Sequence, residues 1–350
     1  MQTATITWPD LLNRLVSHED LSVAETSWAM DQVMTGEATP ARIAAFAVAL
    51  RAKGESSSEI IGMADTMLAH ARQLDIPTRA VDVVGTGGDR AGTVNISTMT
   101  SIVLAACGGT VVKHGNRAAS SKCGTADVLE ELGVTIDLPP EGVERCATEL
   151  GIGFCFAGLF HPAFKHTAAP RREIGIPTAF NVLGPLTNPA LPTSGLVGCA
   201  DRGLAPVMAE VFARRGHSVV LVRGDDGMDE ITTTTTSTAW VIGDGTVREE
   251  RIDPTALGLS LAEPEQLQGG DAPVNAGVVR DLLNGTRGPV RDAVLLNTAG
   301  ALAAYEGAVT ELNGRMAEGI ERAAEAIDSG AAARLLDSWT ELSGKLREHG

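Results

Sequence analysis

At 350 residues, 44% apolar and 21% charged, the chain can bury a large core as one domain or two unequal ones. A formal net charge of −16 repels phosphate backbones over the whole surface, and 3% aromatic residues with one Tyr leave no material for base-stacking platforms, so no nucleic-acid partner is expected. No stretch approaches a membrane span, the first thirty residues hold no apolar run suited to a signal peptide, and the five cysteines lack CxxC spacing; the expectation is a cytoplasmic protein with reduced thiols and no structural metal.

The chain opens on helix signals. Pro9 suits a first helical position before Leu11, Leu12 and Leu15, Ser22 with Glu25 and Ser56 with Glu59 make capping boxes, and Thr39 with Pro40 pairs an N-cap with an N1 proline. From Val81 the pattern changes to short apolar strands alternating with helical stretches: VDVVG, a helix from about 98 to 107, TVVKHG, a helix near 124–132, VTIDL, a helix near 141–149, and GIGFCF. A Pro-rich polar stretch from 160 to 195 suits a crossover or hinge against the site. A helix over 204–214 and a strand over 218–222 follow, then ITTTTTSTAWVIGDGTV as a hairpin turning at Asp244 and Gly245, its threonines read as sheet, and a helical tail after 271. The fold class is α/β: a small helical N-terminal domain (1–77, with a returning segment near 165–200) and a large α/β domain (78–350) with a central, mostly parallel sheet.

Four stretches carry chemistry. In VDVVGTGGDR a strand runs into a glycine-rich turn; a dinucleotide fingerprint needs Gly where Arg90 stands, a Walker A loop needs Lys where Thr93 stands, and both fail. What remains is a nest of backbone donors from Gly85 to Asp89 followed by Thr93, Asn95, Ser97 and Thr98, which suits a phosphate or pyrophosphate, or else a tight strand-to-helix turn. KHGNRAASSKCGT (113–125) puts two cations among small residues after a strand, where open α/β sheets bind ligands. Asp225, Asp226, Asp229 and Glu230 crowd carboxylates that magnesium would relieve, or form an acidic surface turn. Arg171 or Arg172 can hold a carboxylate bidentately or make surface salt bridges, and His161 and His166 read as structural.

GTGGD (85–89), NIST (95–98), KHGNRAASS (113–121), RREIGIPTAFNVLGPLTNP (171–189) and the Asp229–Glu230 pair, in this order over nearly the whole chain, resemble the anthranilate phosphoribosyltransferase family. The resemblance implies a nucleoside phosphorylase-like fold with an interdomain site, a cytoplasmic homodimer formed through the helical domain, and transfer of phosphoribose from phosphoribosyl pyrophosphate to anthranilate in tryptophan biosynthesis, with two Mg2+ ions. Carried over by position, Gly85, Gly88, Asp89, Thr93, Asn95, Ser97, Thr98, the run Lys113, His114, Gly115, Asn116, Arg117, Ala118, Ala119, Ser120 and Ser121, and Thr125 hold the donor. Gly85, Asn116 and Arg171 meet anthranilate, Ser97, Asp229 and Glu230 hold metal, and Lys113, His114 and Arg171 stand at the chemistry. Thr125 keeps the hydroxyl of a family Ser, while Pro177 departs from a family Arg. The competing readings are a pyrimidine nucleoside phosphorylase, which has no pyrophosphate to clamp, and a non-catalytic nucleic-acid-binding relative.

Overall fold

In the computed structural model, which describes residues 6–118, 122–307 and 311–348, four helices come first: α1 (Trp8–Val16), α2 (Val23–Met34), α3 (Pro40–Lys53) and α4 (Ser57–Ala69). Their starts follow the side chains on offer. Ser22 and Ser56 close capping boxes with Glu25 and Glu59, Thr39 accepts from the Arg42 N–H, and Thr7 caps α1, leaving Pro9 as its second residue. Glu59 is buried yet satisfied, accepting from Leu21 N–H at 2.9 Å, Ser56 N–H at 2.8 Å and the Lys53 ammonium at 2.9 Å.

The sheet strands are β1 (Val81–Gly85), β2 (Val111–Gly115), β3 (Ile152–Phe156), β4 (Ser194–Gly198), β5 (Ser218–Gly224), β6 (Ser237–Gly243) and β7 (Thr246–Ile252). Between them run α5 (Ile96–Ala106), α6 (Thr125–Glu131), α7 (Pro140–Leu150), α8 (Ala157–Phe160), α9 (Ala168–Ile174) and α10 (Leu204–Arg214). The tail forms α11 (Ala272–Leu283), α12 (Pro289–Glu306), α13 (Leu312–Asp328) and α14 (Ala331–Glu348). The seven strands lie in the order β3-β2-β1-β4-β5-β6-β7, with β3 through β5 parallel and β6 and β7 antiparallel.

Alternation along the strands divides the core. Val197, Val219, Leu221 and Trp240 face α10 and join the core of the helical bundle, built on Trp8, Met30, Phe46 and Met63. Leu196, Val220, Val222 and Val241 face the other way, into the layer of α5 and the tail helices. Residues 179–186 also enter the bundle core, so the returning segment is packed against the helices that precede the sheet.

One expected strand is absent and another starts late. VTIDL (134–138) buries Val134, Ile136 and Leu138 in strand-like alternation, but its backbone joins no ladder; the Thr135 N–H donates instead to Ser343 Oγ at 3.1 Å. Thr232 to Thr236 are loop, the hydroxyls of Thr232 and Thr234 donating to Asp226 and that of Thr236 to Asp225, and β6 begins only at Ser237. The hairpin turn at Asp244 and Gly245 is as expected, both residues having positive φ (51° and 70°).

Candidate active site

β1 lies between β2 and β4, so the chain leaves the sheet in opposite directions on its two sides and opens a crevice beyond the strand ends. The glycine-rich loop after β1 lines that crevice. Two strand-ending glycines let another segment settle there: a Cβ on Gly198 would lie 1.5 Å from the Asp229 carbonyl oxygen, and one on Gly85 would lie 2.1 Å from Asp229 Oδ2. Gly85 therefore makes room for the acidic loop. Gly87 N–H donates to Asp229 Oδ2 at 2.7 Å, joining two loops 142 residues apart.

The four acids after β5 divide into two pairs. Asp226 accepts from Met228 N–H and the Thr232 and Thr234 hydroxyls, and Asp225 from the Thr236 hydroxyl, so these two build the turn. Asp229 and Glu230 point into the crevice, where with Asp89 they offer oxygens all within 4.8 Å of one another. Burial pushes the Asp229 carboxyl up to about 7, with Asp89 adding to the rise, and burial and then Asp229 push Glu230 well above the usual range. Glu230 Oε2 is buried without a hydrogen-bond partner among the described residues. Crowded carboxylates with an orphaned oxygen fit a hard divalent cation. Asp89 was assigned to the donor from the sequence and not to metal; its partners lie too far along the chain for spacing to reveal them.

The cationic loop is less free than its composition suggests. Lys113 is buried at the crevice floor, its ammonium donating to the Val83 carbonyl, and burial pushes it down to about 8 against the pull of Asp82, Glu230 and Asp229. Asp82, an acid inside an apolar strand, is anchored by Asn188 at 2.8 Å and the His114 N–H at 3.1 Å. His114 Nδ1–H donates to the Gly184 carbonyl at 3.1 Å, Nε2 has no partner among the described residues, and burial holds the ring near pKa 3, so it is neutral. Arg117 lines the crevice, but its guanidinium is tied to Asp127 at 3.0 Å and Glu130 at 2.9 Å.

The resulting cleft has a volume of about 780 Å³. Gly85, Gly88, Asp89, Thr93, Asn95, Ser97, Lys113, His114, Gly115, Asn116, Arg117, Ala118 and Thr125 line it together with Arg171, Asp229 and Glu230. Thr98 does not: it is 1% exposed and turned inward from α5. Ala119, Ser120 and Ser121 lie outside the described residues. Asn95 is at the start of α5 but caps nothing, since its side chain accepts from Asn275 at 2.8 Å and donates to the Cys123 carbonyl at 3.3 Å. Arg171 stacks over Phe164 at 5.4 Å and makes no ion pair among the described residues, whereas Arg172 is exposed and outside the cleft. Sequence reasoning missed Asn181, Gly198 and Asn297, which also line it.

Known families share this layout. The glycosyl transferase family, a/b domain, matches residues 77–333, and the glycosyl transferase family, helical bundle domain, matches 9–71. The anthranilate phosphoribosyltransferase of Saccharopolyspora erythraea is 69% identical over 346 residues, 99% of each chain. The chain belongs to the anthranilate phosphoribosyltransferase family. The Rhodococcus jostii member is 58% identical over 97% of this chain and 94% of its own. Among solved members of the family, the Thermus thermophilus crystal structure superposes with a TM-score of 0.89 at 40% identity, covering 95% of this chain and 99% of that one. The Saccharomyces cerevisiae family member, described as a complex with PRPP and Mg, superposes with a TM-score of 0.88 at 27% identity over 98% of this chain and 99% of its own. No described helix is long and apolar enough to cross a membrane.

Proposed function

We propose that the chain transfers the 5-phosphoribosyl group of phosphoribosyl pyrophosphate to the amine of anthranilate, giving N-(5-phosphoribosyl)anthranilate and pyrophosphate, the second step of tryptophan biosynthesis from chorismate. The observation that carries this reading is the meeting of the glycine-rich loop, the Lys113 loop and the Asp229–Glu230 pair in one cleft. Membership of the family supports it, as do yeast relatives described with PRPP and Mg and with 4-fluoroanthranilate. A pyrimidine nucleoside phosphorylase is not favoured, because free phosphate gives the acidic pair nothing to clamp.

Asp89, Asp229 and Glu230, with the Ser97 hydroxyl, would hold two magnesium ions, whose chemistry when bound is to neutralise charge on the departing pyrophosphate. The amides of Gly88 and Asp89, which donate to no described residue, bind phosphate oxygens, and the Lys113 ammonium adds positive charge beneath them. As the bond from C1 to the pyrophosphate oxygen breaks, its electron pair leaves with pyrophosphate. The amine nitrogen bonds C1 from the opposite face and then releases a proton to solvent. Arg171 and Asn116 hold the anthranilate carboxylate so that the amine faces C1. His114 stands beside the anthranilate position, neutral and too weak a base to take the proton. Two copies pair through the helical domain, a reading supported by exposed Val16 on α1 and Val48 on α3.

The test mixes the purified chain with anthranilate, phosphoribosyl pyrophosphate and magnesium and follows anthranilate fluorescence. Its loss only when all components are present is expected; unchanged fluorescence together with phosphorolysis of a pyrimidine nucleoside would overturn the reading.

A further inference from the structure

The cleft must hold a polyanion in a protein of net charge −16, and three carboxylates already face it. Its positive charge is therefore scarce. Of the four Lys and Arg residues lining it, Lys113 donates to a carbonyl, Arg117 is spent on Asp127 and Glu130, and Arg171 lies over Phe164 in the segment assigned to anthranilate. The fourth is Arg90, exposed and without an ion pair or hydrogen bond to any described residue.

Arg90 is also held where a side chain is disfavoured. Its φ is 60°, in the left-handed region, inside a loop where Gly87, Gly88 and Gly92 supply the other positive φ angles at no steric cost. Asp89 Oδ1 accepts the Ala91 N–H at 3.3 Å across the kink, so the residue that faces the acidic pair also fixes the turn at Arg90. A glycine at 90 would be unstrained. An arginine kept there against strain, beside the amides of the anion cradle and with its charge unspent, implies a return that the fold does not supply.

We propose that Arg90 is a substrate-binding residue whose guanidinium takes phosphate oxygens of the phosphoribosyl donor at the mouth of the cleft. The inference rests on the transferase reading above. It makes the donor affinity of this chain depend on a charge outside the motif residues, one that the loop presents without having to withdraw it from an internal partner.

Three variants test it: Arg90→Gly, Arg90→Ala and Arg90→Lys. In Arg90→Gly the donor KM is expected to rise about tenfold while the anthranilate KM moves less than about twofold. Its thermal midpoint should rise by about 1–2 °C as strain is relieved. Arg90→Ala should show the same rise in donor KM, and Arg90→Lys should recover most of it. Inhibition by pyrophosphate with magnesium and by ribose 5-phosphate, measured separately against the donor, locates the contact: the inhibitor that weakens in Arg90→Gly carries the phosphate that Arg90 holds. An active wild type whose donor KM and both inhibition constants are unmoved in Arg90→Gly and Arg90→Ala overturns the inference alone. A wild type without transferase activity overturns it together with the reading beneath it.

Discussion

Asn297 on α12 holds both backbone groups of Ile231, the residue after the acidic pair: its Oδ1 accepts the Ile231 N–H at 3.0 Å and its Nδ2 donates to the Ile231 carbonyl at 2.8 Å. The same Nδ2 donates to the Ala293 carbonyl at 2.9 Å, and the side chain is 1% exposed. The segment that would hold metal thus rests on Gly198 from one side and is tied to α12 at its end. Asn297→Ala leaves a buried N–H and carbonyl unpaired, which costs about 2–4 kcal/mol in chemical denaturation. It should also weaken Mn2+ binding measured by electron paramagnetic resonance; unchanged affinity would show that the tie does not position the acids.

Asp229→Asn combined with Glu230→Gln removes the crowded charge. Transfer should fall at least about a hundredfold and lose its magnesium dependence. Without metal the variant should melt higher than the wild type, because two carboxyls raised first by burial and then by neighbouring carboxylates are replaced by neutral amides. Unchanged turnover and metal dependence would refute the assignment.

Arg171→Ala removes a guanidinium with no ion pair of its own among the described residues, so the stability lost is that of its stacking on Phe164, about 1 kcal/mol. The anthranilate KM is expected to rise about 10- to 100-fold, with the donor KM nearly unchanged. An equal effect on both substrates in steady-state kinetics would tell against its role.

Burial pushes Lys113 down to about 8, so its positive charge is present below that pH and lost as pH rises through it. kcat/KM for the donor, which reports the free enzyme, should fall above about pH 8. Lys113→Arg, charged throughout, should carry the fall upward in a pH–rate profile even if overall activity drops. The stability contribution has the opposite sign: between about 8 and the ordinary 10.5 the unfolded chain binds more protons, so this group's contribution to stability rises with pH there.

The loops were legible in the sequence where backbone demands and chemistry coincide locally: a strand into GTGGD, cations after a strand in KHGNR, a capping box at Ser56. Contacts made by distant segments were not. Nothing in SGLVG marks Gly198 as the seat of Asp229, and Asp89 reads as a loop acid until Gly87 is seen to bind Asp229. The threonine run misled because β-branched residues favour strands, yet here the hydroxyls of Thr232, Thr234 and Thr236 are taken by Asp226 and Asp225. VTIDL misled because alternation reports burial, which a loop lying on the core also produces. Asp82 is visible in the sequence as an acid in an apolar strand, but its place beside Lys113, on the neighbouring strand β2, is not.

A crystal structure with phosphoribosyl pyrophosphate and Mg2+ bound bears most directly on the convergence of the three loops. One donor molecule is expected to touch the Gly88 amide region and the Lys113–Asn116 loop, with metal between its pyrophosphate and Asp229 or Glu230. A donor bound to a single loop, with the metal elsewhere, would contradict it.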